Sequence, residues 1–185
     1  MPRRFKSDRR NRHEEREQVP ALPEHPKVTG RGLRPDGKFN DLLVAKFINC
    51  LMYDGKKATA QKVVYAAFDA IQAKLDKEKP ESMPRTAIEV FQKALENVRP
   101  VVEVRSKRVG GANYQVPMQL NRRRQQSLTF RWIIEAIREE RGRPMHLRLA
   151  KELMDAAKGE GKAMAVRDQT HRMADANKAF AHFAW

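Results

Sequence analysis

Apolar residues recur at helical spacing from Phe39 onward and show no such order before it. Leu43, Val44, Phe47, Ile48, Leu51 and Met52 fall on one helical face, with Asp41 placed to cap the first turn. Gly55 is suited to end that helix. Thr59 is placed to cap a second, whose stripe is Val64, Ala67, Phe68, Ile71 and Leu75. Lys77–Pro84 reads as a charged, proline-containing loop. A third helix follows on Ile88, Phe91, Leu95 and Val98, and Pro100 stops it.

The period then changes from 3.6 to 2. Val102 and Val104 alternate with Glu103, Arg105 and Lys107, and Gly110-Gly111 supplies the turn of a hairpin. Tyr114, Val116, Met118 and Leu120 share one face of the return strand. Pro117 cannot donate to a ladder, which suits an edge. A two-stranded ribbon alone is marginal in water, so it must lean on the helices and on something nearer its tip.

Helical pattern returns at Ser127 with Phe130, Ile133, Ile134 and Ile137, and Arg141-Gly142-Arg143-Pro144 breaks it. Leu147, Ala150, Leu153, Met154 and Ala157 mark a fifth helix, ended by Gly159-Glu160-Gly161. A sixth carries Val166, Met173 and Phe180 one heptad apart and runs into Phe183 and Trp185. The expected architecture is mainly α: six helices over residues 39–185, a protruding two-stranded antiparallel hairpin at about 101–120, and a basic N-terminal arm over residues 1–38. The arm carries Pro20, Pro23, Pro26 and Pro35 with Gly30, Gly32 and Gly37, and no apolar stripe to offset its ordering.

Charge sharpens this picture. The 185 residues carry a formal net charge of +15. Residues 1–38 hold +5, residues 39–98 only +1, residues 99–124 hold +6, and residues 125–185 hold +3. A nearly neutral body with two basic appendages points to a polyanionic partner. Arg105, Lys107 and Arg108 line the first strand, Tyr114 lies on the second, and Arg122, Arg123 and Arg124 follow at the strand-to-helix junction. Guanidinium groups match phosphate with paired donors. Glu103 is the one acid of segment 99–124. Tyr114 is placed either to stack on a base or to pack against the helices, and its apolar neighbours favour packing.

No constellation for catalysis assembles. His13, His25, His146, His171 and His182 form no pair at metal-ligand spacing, and neither Gly110-Gly111 nor Asp54-Gly55-Lys56-Lys57 is a phosphate loop. Glu135 with Arg131 and Arg138 reads as a surface ion-pair set. The single cysteine, Cys50, cannot form an internal disulfide and is expected in the core. No apolar run is long enough to span a bilayer, and residues 1–18 lack a signal-peptide core. No enzyme activity, cofactor or metal is expected. Three other readings remain: a dimeric DNA-bending protein with basic β-arms, an RNA-modifying enzyme with a pocket, and a membrane-surface protein.

Four stretches resemble a known family: Asp54-Gly-Lys-Lys57, Ala94-Leu-Glu-Asn-Val-Arg-Pro100, Val104-Arg-Ser-Lys-Arg-Val-Gly-Gly-Ala-Asn-Tyr-Gln-Val-Pro117, and His171-Arg-Met-Ala-Asp-Ala-Asn-Lys-Ala-Phe-Ala-His182. They are similar to bacterial small-subunit ribosomal protein seven, over residues 34–185 and the opening Met1-Pro-Arg-Arg4. The resemblance implies a structural constituent of the small ribosomal subunit in the cytoplasm, without enzyme activity, cofactor or membrane contact. It implies direct binding to small-subunit rRNA, nucleation of the subunit head, and a hairpin near the E-site tRNA and the mRNA exit path. The implied rRNA contacts are Arg3, Arg4, Arg34, Lys38, Lys56, Lys57, Arg105, Arg122, Arg123, Arg124, Arg131 and Arg172. The hairpin residues implied near tRNA and mRNA are Lys107, Arg108, Val109, Gly110, Gly111 and Tyr114. Protein families nine and eleven of the small subunit are the implied neighbours, and no homo-oligomer is expected. The chain departs from the family in its longer stretch between Arg4 and Arg34 and its longer loop at 77–84. It also has Ala165 and Val166 where the family has two lysines, and Ala184 in the closing Phe183-Ala184-Trp185.

Overall fold

The computed structural model describes residues 33–78 and 84–183. Arg3, Arg4 and the arm through residue 32, loop positions 79–83, Ala184 and Trp185 lie outside the described residues. The order is α1 (Leu42–Leu51), α2 (Lys57–Glu78), α3 (Ala87–Val98), β1 (Val102–Val109), β2 (Ala112–Gln119), α4 (Arg122–Glu139), α5 (Met145–Lys158), α6 (Lys162–Ala176) and a 3-10 helix, Lys178–Phe183. The mainly α architecture with one antiparallel hairpin is as the pattern predicts.

Asp41 caps α1 by accepting from Leu43 N at 2.6 Å. The helix ends at Leu51, four residues before Gly55, where Met52 turns to extended backbone, and the Arg138 guanidinium satisfies the freed Leu51 O at 3.2 Å. Asp54 and Gly55 then turn the chain at φ 50° and 69°. Thr59 does not cap α2. Once the turn closes, with Lys56 N on Tyr53 O, Ala60 N already reaches Lys56 O, and the helix is under way at Lys57.

α5 lies centrally, packed on α2, α3, α4 and α6. Its fully buried Leu149 and Leu153 meet the stripes of the other helices; Leu147, expected on that face, is exposed. Rings from four elements run through the core. Phe91 of α3 meets Phe47 of α1 and Phe68 of α2, each at 5.5 Å, and Phe47 meets Phe130 of α4 at 5.5 Å. Phe39 closes the row on Phe68 at 5.2 Å. Such tilted and edge-on contacts add to the burial of each ring.

The residues just before α1 are fastened to α2. Buried Asp36 accepts from Tyr65 Oη at 2.7 Å and from Lys38 N at 3.1 Å. Burial and that carboxylate push the Tyr65 phenol up to about 12.

α6 departs from the heptad reading. Val166 and Met173 are exposed, and the helix buries Ala163, Met164 and Ala174 instead. It stops at Ala176, so Phe180 belongs to the 3-10 helix. Its first turn is capped from outside. Gly161 has no side chain to offer, and Glu152 of α5, buried, accepts from Ala163 N at 2.8 Å. Gly161 has φ 101°, and a Cβ there would sit 3.0 Å from Glu152 Oε1. Desolvation raises the Glu152 carboxyl above its usual range. Glu152→Gln keeps an acceptor and should change stability by under about 1 kcal/mol, whereas Glu152→Ala orphans a buried N–H and should cost about 1–3 kcal/mol in urea melts. A carboxyl raised on folding binds its proton more tightly when folded, so acid favours the folded form. Wild type should therefore gain on Glu152→Gln as pH falls from above the raised value to below the unfolded value of about 4.3. A flat difference over that window would show that the carboxyl is not desolvated.

Cys50 is exposed, not in the core. On an ideal helix it lies roughly 110° from the centre of the buried stripe. It rims a hollow with Phe130, Arg131 and Ile134. Partial burial raises its thiol pKa, with Lys46 pulling the other way. A thiol reagent should label Cys50 in the native protein, a few-fold more slowly than after unfolding. Full protection until the protein melts would contradict this placement.

Candidate nucleic-acid interface

Gly110 and Gly111 both have positive φ, 58° and 87°, which a two-residue hairpin turn matched to strand twist requires. The register pairs Glu103 with Met118, Arg105 with Val116, Lys107 with Tyr114 and Val104 with Pro117. Paired residues share a face. Glu103, Arg105 and Lys107 of β1 therefore lie with the apolar residues of β2, on the face carrying buried Glu103 and Val116, whereas Arg108, paired with Asn113, lies on the other face.

That face is covered. α6 packs on β1 and the 3-10 helix packs on β2. Tyr114 stacks against Phe180 at 5.2 Å and Phe183 at 5.4 Å, so it packs, as its apolar neighbours suggest. Lys107 Nζ donates to Phe183 O at 2.9 Å. His171 of α6 accepts from Val101 N at 3.3 Å at the base. The support that a bare ribbon needs toward its tip is thus the 3-10 helix. Arg108, Gly110, Gly111, Ala112 and Asn113 stay exposed, and Val109 is half-buried.

α4 begins five residues before Ser127. Asn121 caps it by accepting from Arg124 N at 2.9 Å, which puts Arg122, Arg123 and Arg124 in its first turn. Three cations at the positive end of a helix with no acid among them are electrostatically unfavourable unless an anion joins them. They do not act alike. Arg124 is half-buried and donates through Nε to Glu103 Oε2 at 3.0 Å, while Glu103 Oε1 accepts from Arg105 Nε. Arg122 and Arg123 are exposed, and Arg123, Ser127, Arg131 and Glu135 form one exposed stripe of α4. Among the described residues Arg108, Arg122, Arg123 and Arg131 enter no ion pair or side-chain hydrogen bond. Glu135 pairs with neither Arg131 nor Arg138. The Arg138 guanidinium lies 4.2 Å from the Tyr53 ring centroid.

The other candidates lie elsewhere. Lys38 is engaged by Asp69 at 2.8 Å and sits 5.3 Å from the Phe39 ring centroid. Lys56 is 3.8 Å from Asp54, and Lys57 is exposed at the start of α2. Arg34 and Arg172 are exposed. Sequence reasoning missed Lys46 of α1, exposed beside α4 with Nζ on Gln126 Oε1 at 3.2 Å. Only a three-dimensional neighbour marks it.

Among the described residues no group of three or more His, Cys, Asp or Glu could hold a metal, and no helix is long and apolar enough to cross a membrane. An open hollow of about 460 Å³ between α1, α2, α4 and the start of α5 is lined by Leu51, Tyr53, Lys56, Thr59, Arg138 and Met145.

The family described as ribosomal protein S7p/S5e matches residues 23–178. The chain belongs to the ribosomal protein S7 family. A relative from Rhodopirellula baltica named small ribosomal subunit protein uS7 is 59% identical over 150 residues, covering 81% of this chain and 92% of the relative. One of the same name from Cupriavidus metallidurans is 51% identical over 162 residues, covering 88% and 99%. A third, from Pseudothermotoga lettingae, is 50% identical over 155 residues, covering 84% and 95%. As an S7-family member the chain is a structural, non-enzymatic protein of the small subunit, at home in the cytoplasmic ribosome.

Proposed function

We propose that this chain binds small-subunit rRNA directly, nucleates assembly of the subunit head, and sets its hairpin beside the E-site tRNA and the mRNA exit path. The observation carrying this reading is the set of exposed arginines on α4, Arg122, Arg123 and Arg131, which form no ion pair or side-chain hydrogen bond among the described residues. Arg124, in the same first turn of α4, and Arg105, held with it on Glu103, add to that set. Arg34, Lys56, Lys57 and Arg172 extend the contact from other elements, and Arg3 and Arg4 add to it from the arm. Lys38, exposed although paired with Asp69, keeps ammonium donors for a phosphate. Arg108, Val109, Gly110 and Gly111 form the tip offered to tRNA and mRNA, with Lys107 and Tyr114 holding its shaft. Ribosomal protein families nine and eleven are its neighbours, and it acts as a single copy.

Phosphate contacts of this kind supply affinity and position rather than base reading. The test is binding of the purified full chain to an RNA fragment of the small-subunit head, with no other ribosomal protein present. Saturable binding that weakens with salt is expected. A folded protein that needs other ribosomal proteins before it binds would overturn the reading.

A further inference from the structure

Glu103 is a buried carboxylate at the root of the hairpin, and both its oxygens are occupied by arginines from different elements. Arg105 lies two residues along the same strand face, and Arg124 lies on the first turn of α4. Each donates through Nε. No other hydrogen bond of either guanidinium is formed among the described residues. The Nη edges, the pair of donors that suits a phosphate, are therefore left over on both. Their side chains are 53% and 36% exposed, so those edges are within reach of solvent while Glu103 is not.

We infer that Glu103 is a positioning residue that assembles Arg105 and Arg124 into one clamp for a single backbone phosphate. Charge supports one phosphate rather than two. Two guanidiniums and one carboxylate leave a net charge of one, which one phosphodiester neutralises. Rigidity supports it as well. A long arginine loses rotamer freedom when it binds, and here the carboxylate has already ordered both. The clamp also ties the hairpin root to α4, so the phosphate it holds would fix the direction of the ribbon relative to the RNA.

The inference rests on the rRNA-binding reading, and its test separates the two. The full chain is titrated with the head RNA fragment over a salt series. Arg105→Ala and Arg124→Ala each leave Glu103 with one partner and no net charge to offer. Each should lower the salt slope by about 0.7–0.9, the value of one phosphate contact. A third variant removes the whole clamp as Glu103→Leu with Arg105→Ala and Arg124→Ala, so that no buried carboxylate is stranded. It should lower the slope by the same about 0.7–0.9 and not by twice that.

Glu103→Gln gives the sharper readout. It adds a positive charge to the protein, so a purely electrostatic role predicts tighter binding. An amide accepts from only one Nε and turns its own donors on the other, so a positioning role predicts weaker binding, by about tenfold at 0.1 M salt. Circular dichroism checks that each variant is folded, and Glu103→Asp serves if Glu103→Gln is not. Doubled loss in the triple variant, or tighter binding by Glu103→Gln, overturns the clamp. Unchanged slopes in all of these, with Arg122→Ala and Arg123→Ala still lowering theirs, overturn the clamp while sparing the RNA reading. Absence of RNA binding by the wild type removes both.

Discussion

Replacing Arg122, Arg123 and Arg131 together by alanine should lower the salt slope of RNA binding by about 2, three contacts at roughly 0.7–0.9 each. Such a change is worth about a hundredfold in affinity at 0.1 M salt relative to 1 M. The expectation follows from three observations. The three side chains are exposed, none has a carboxylate partner among the described residues, and two of them occupy the positive end of α4. Stability should move little, since exposed charges away from packing rarely matter to it. Removing two cations from that helix end should, if anything, raise the melting temperature slightly. A salt series on both proteins, with thermal melts alongside, decides the matter. An unchanged slope in a folded variant would mean that these arginines face solvent and the footprint lies elsewhere.

Phe91→Ala should cost about 3–5 kcal/mol, the range for removing a buried aromatic side chain. Phe91 is fully buried, and its ring touches both Phe47 and Phe68. Three helices meet at that ring, and Phe130 of α4 joins through Phe47. The hole left by its removal has walls from α1, α2 and α3, which cannot all collapse inward at once. Domains of this kind are stable by only about 5–15 kcal/mol, so the loss is a large share of the total. Urea unfolding should show a lower midpoint with an unchanged slope. A cost under about 1 kcal/mol would show that the cavity closes and that the ring is not the junction described here.

Where the chain wrote its burial in large apolar residues or in turn chemistry, the fold could be read directly. α1, α3 and the hairpin are of this kind, with Val98 and Pro100 closing α3 and Gly110-Gly111 turning the ribbon. Periodicity failed where a helix face is polar or small. The first turn of α4 is Arg122-Arg123-Arg124, which carries no apolar signal, so only Asn121 could have marked its start. α6 buries alanines and one methionine, and its larger Val166 and Met173 point outward, so the heptad followed the wrong face. Cys50 misled because free cysteine is usually buried while this one sits on the flank of the stripe.

Candidate site residues were visible by type and charge; their partners were not. Arg138 sits three residues from Glu135 yet spends its guanidinium on Leu51 O, 87 residues away. Glu103 stood out in sequence only as the single acid of a basic segment. Its meeting with Arg124, 21 positions on, exists only after the hairpin has folded back to start α4.

The brace on the hairpin has a consequence for the order in which the molecule can be made. Lys107 bonds to Phe183 across 76 residues of chain, and Tyr114 waits for the same 3-10 segment. At synthesis rates of about 5–20 residues per second, roughly 4–15 s separate the emergence of the two partners. During that interval the ribbon can close its own ladder through Gly110-Gly111, but Tyr114 lacks the two rings it packs on. A nascent chain paused before residue 178 should therefore be the form most prone to stick to its neighbours or to recruit a chaperone, and the next few residues should end that exposure.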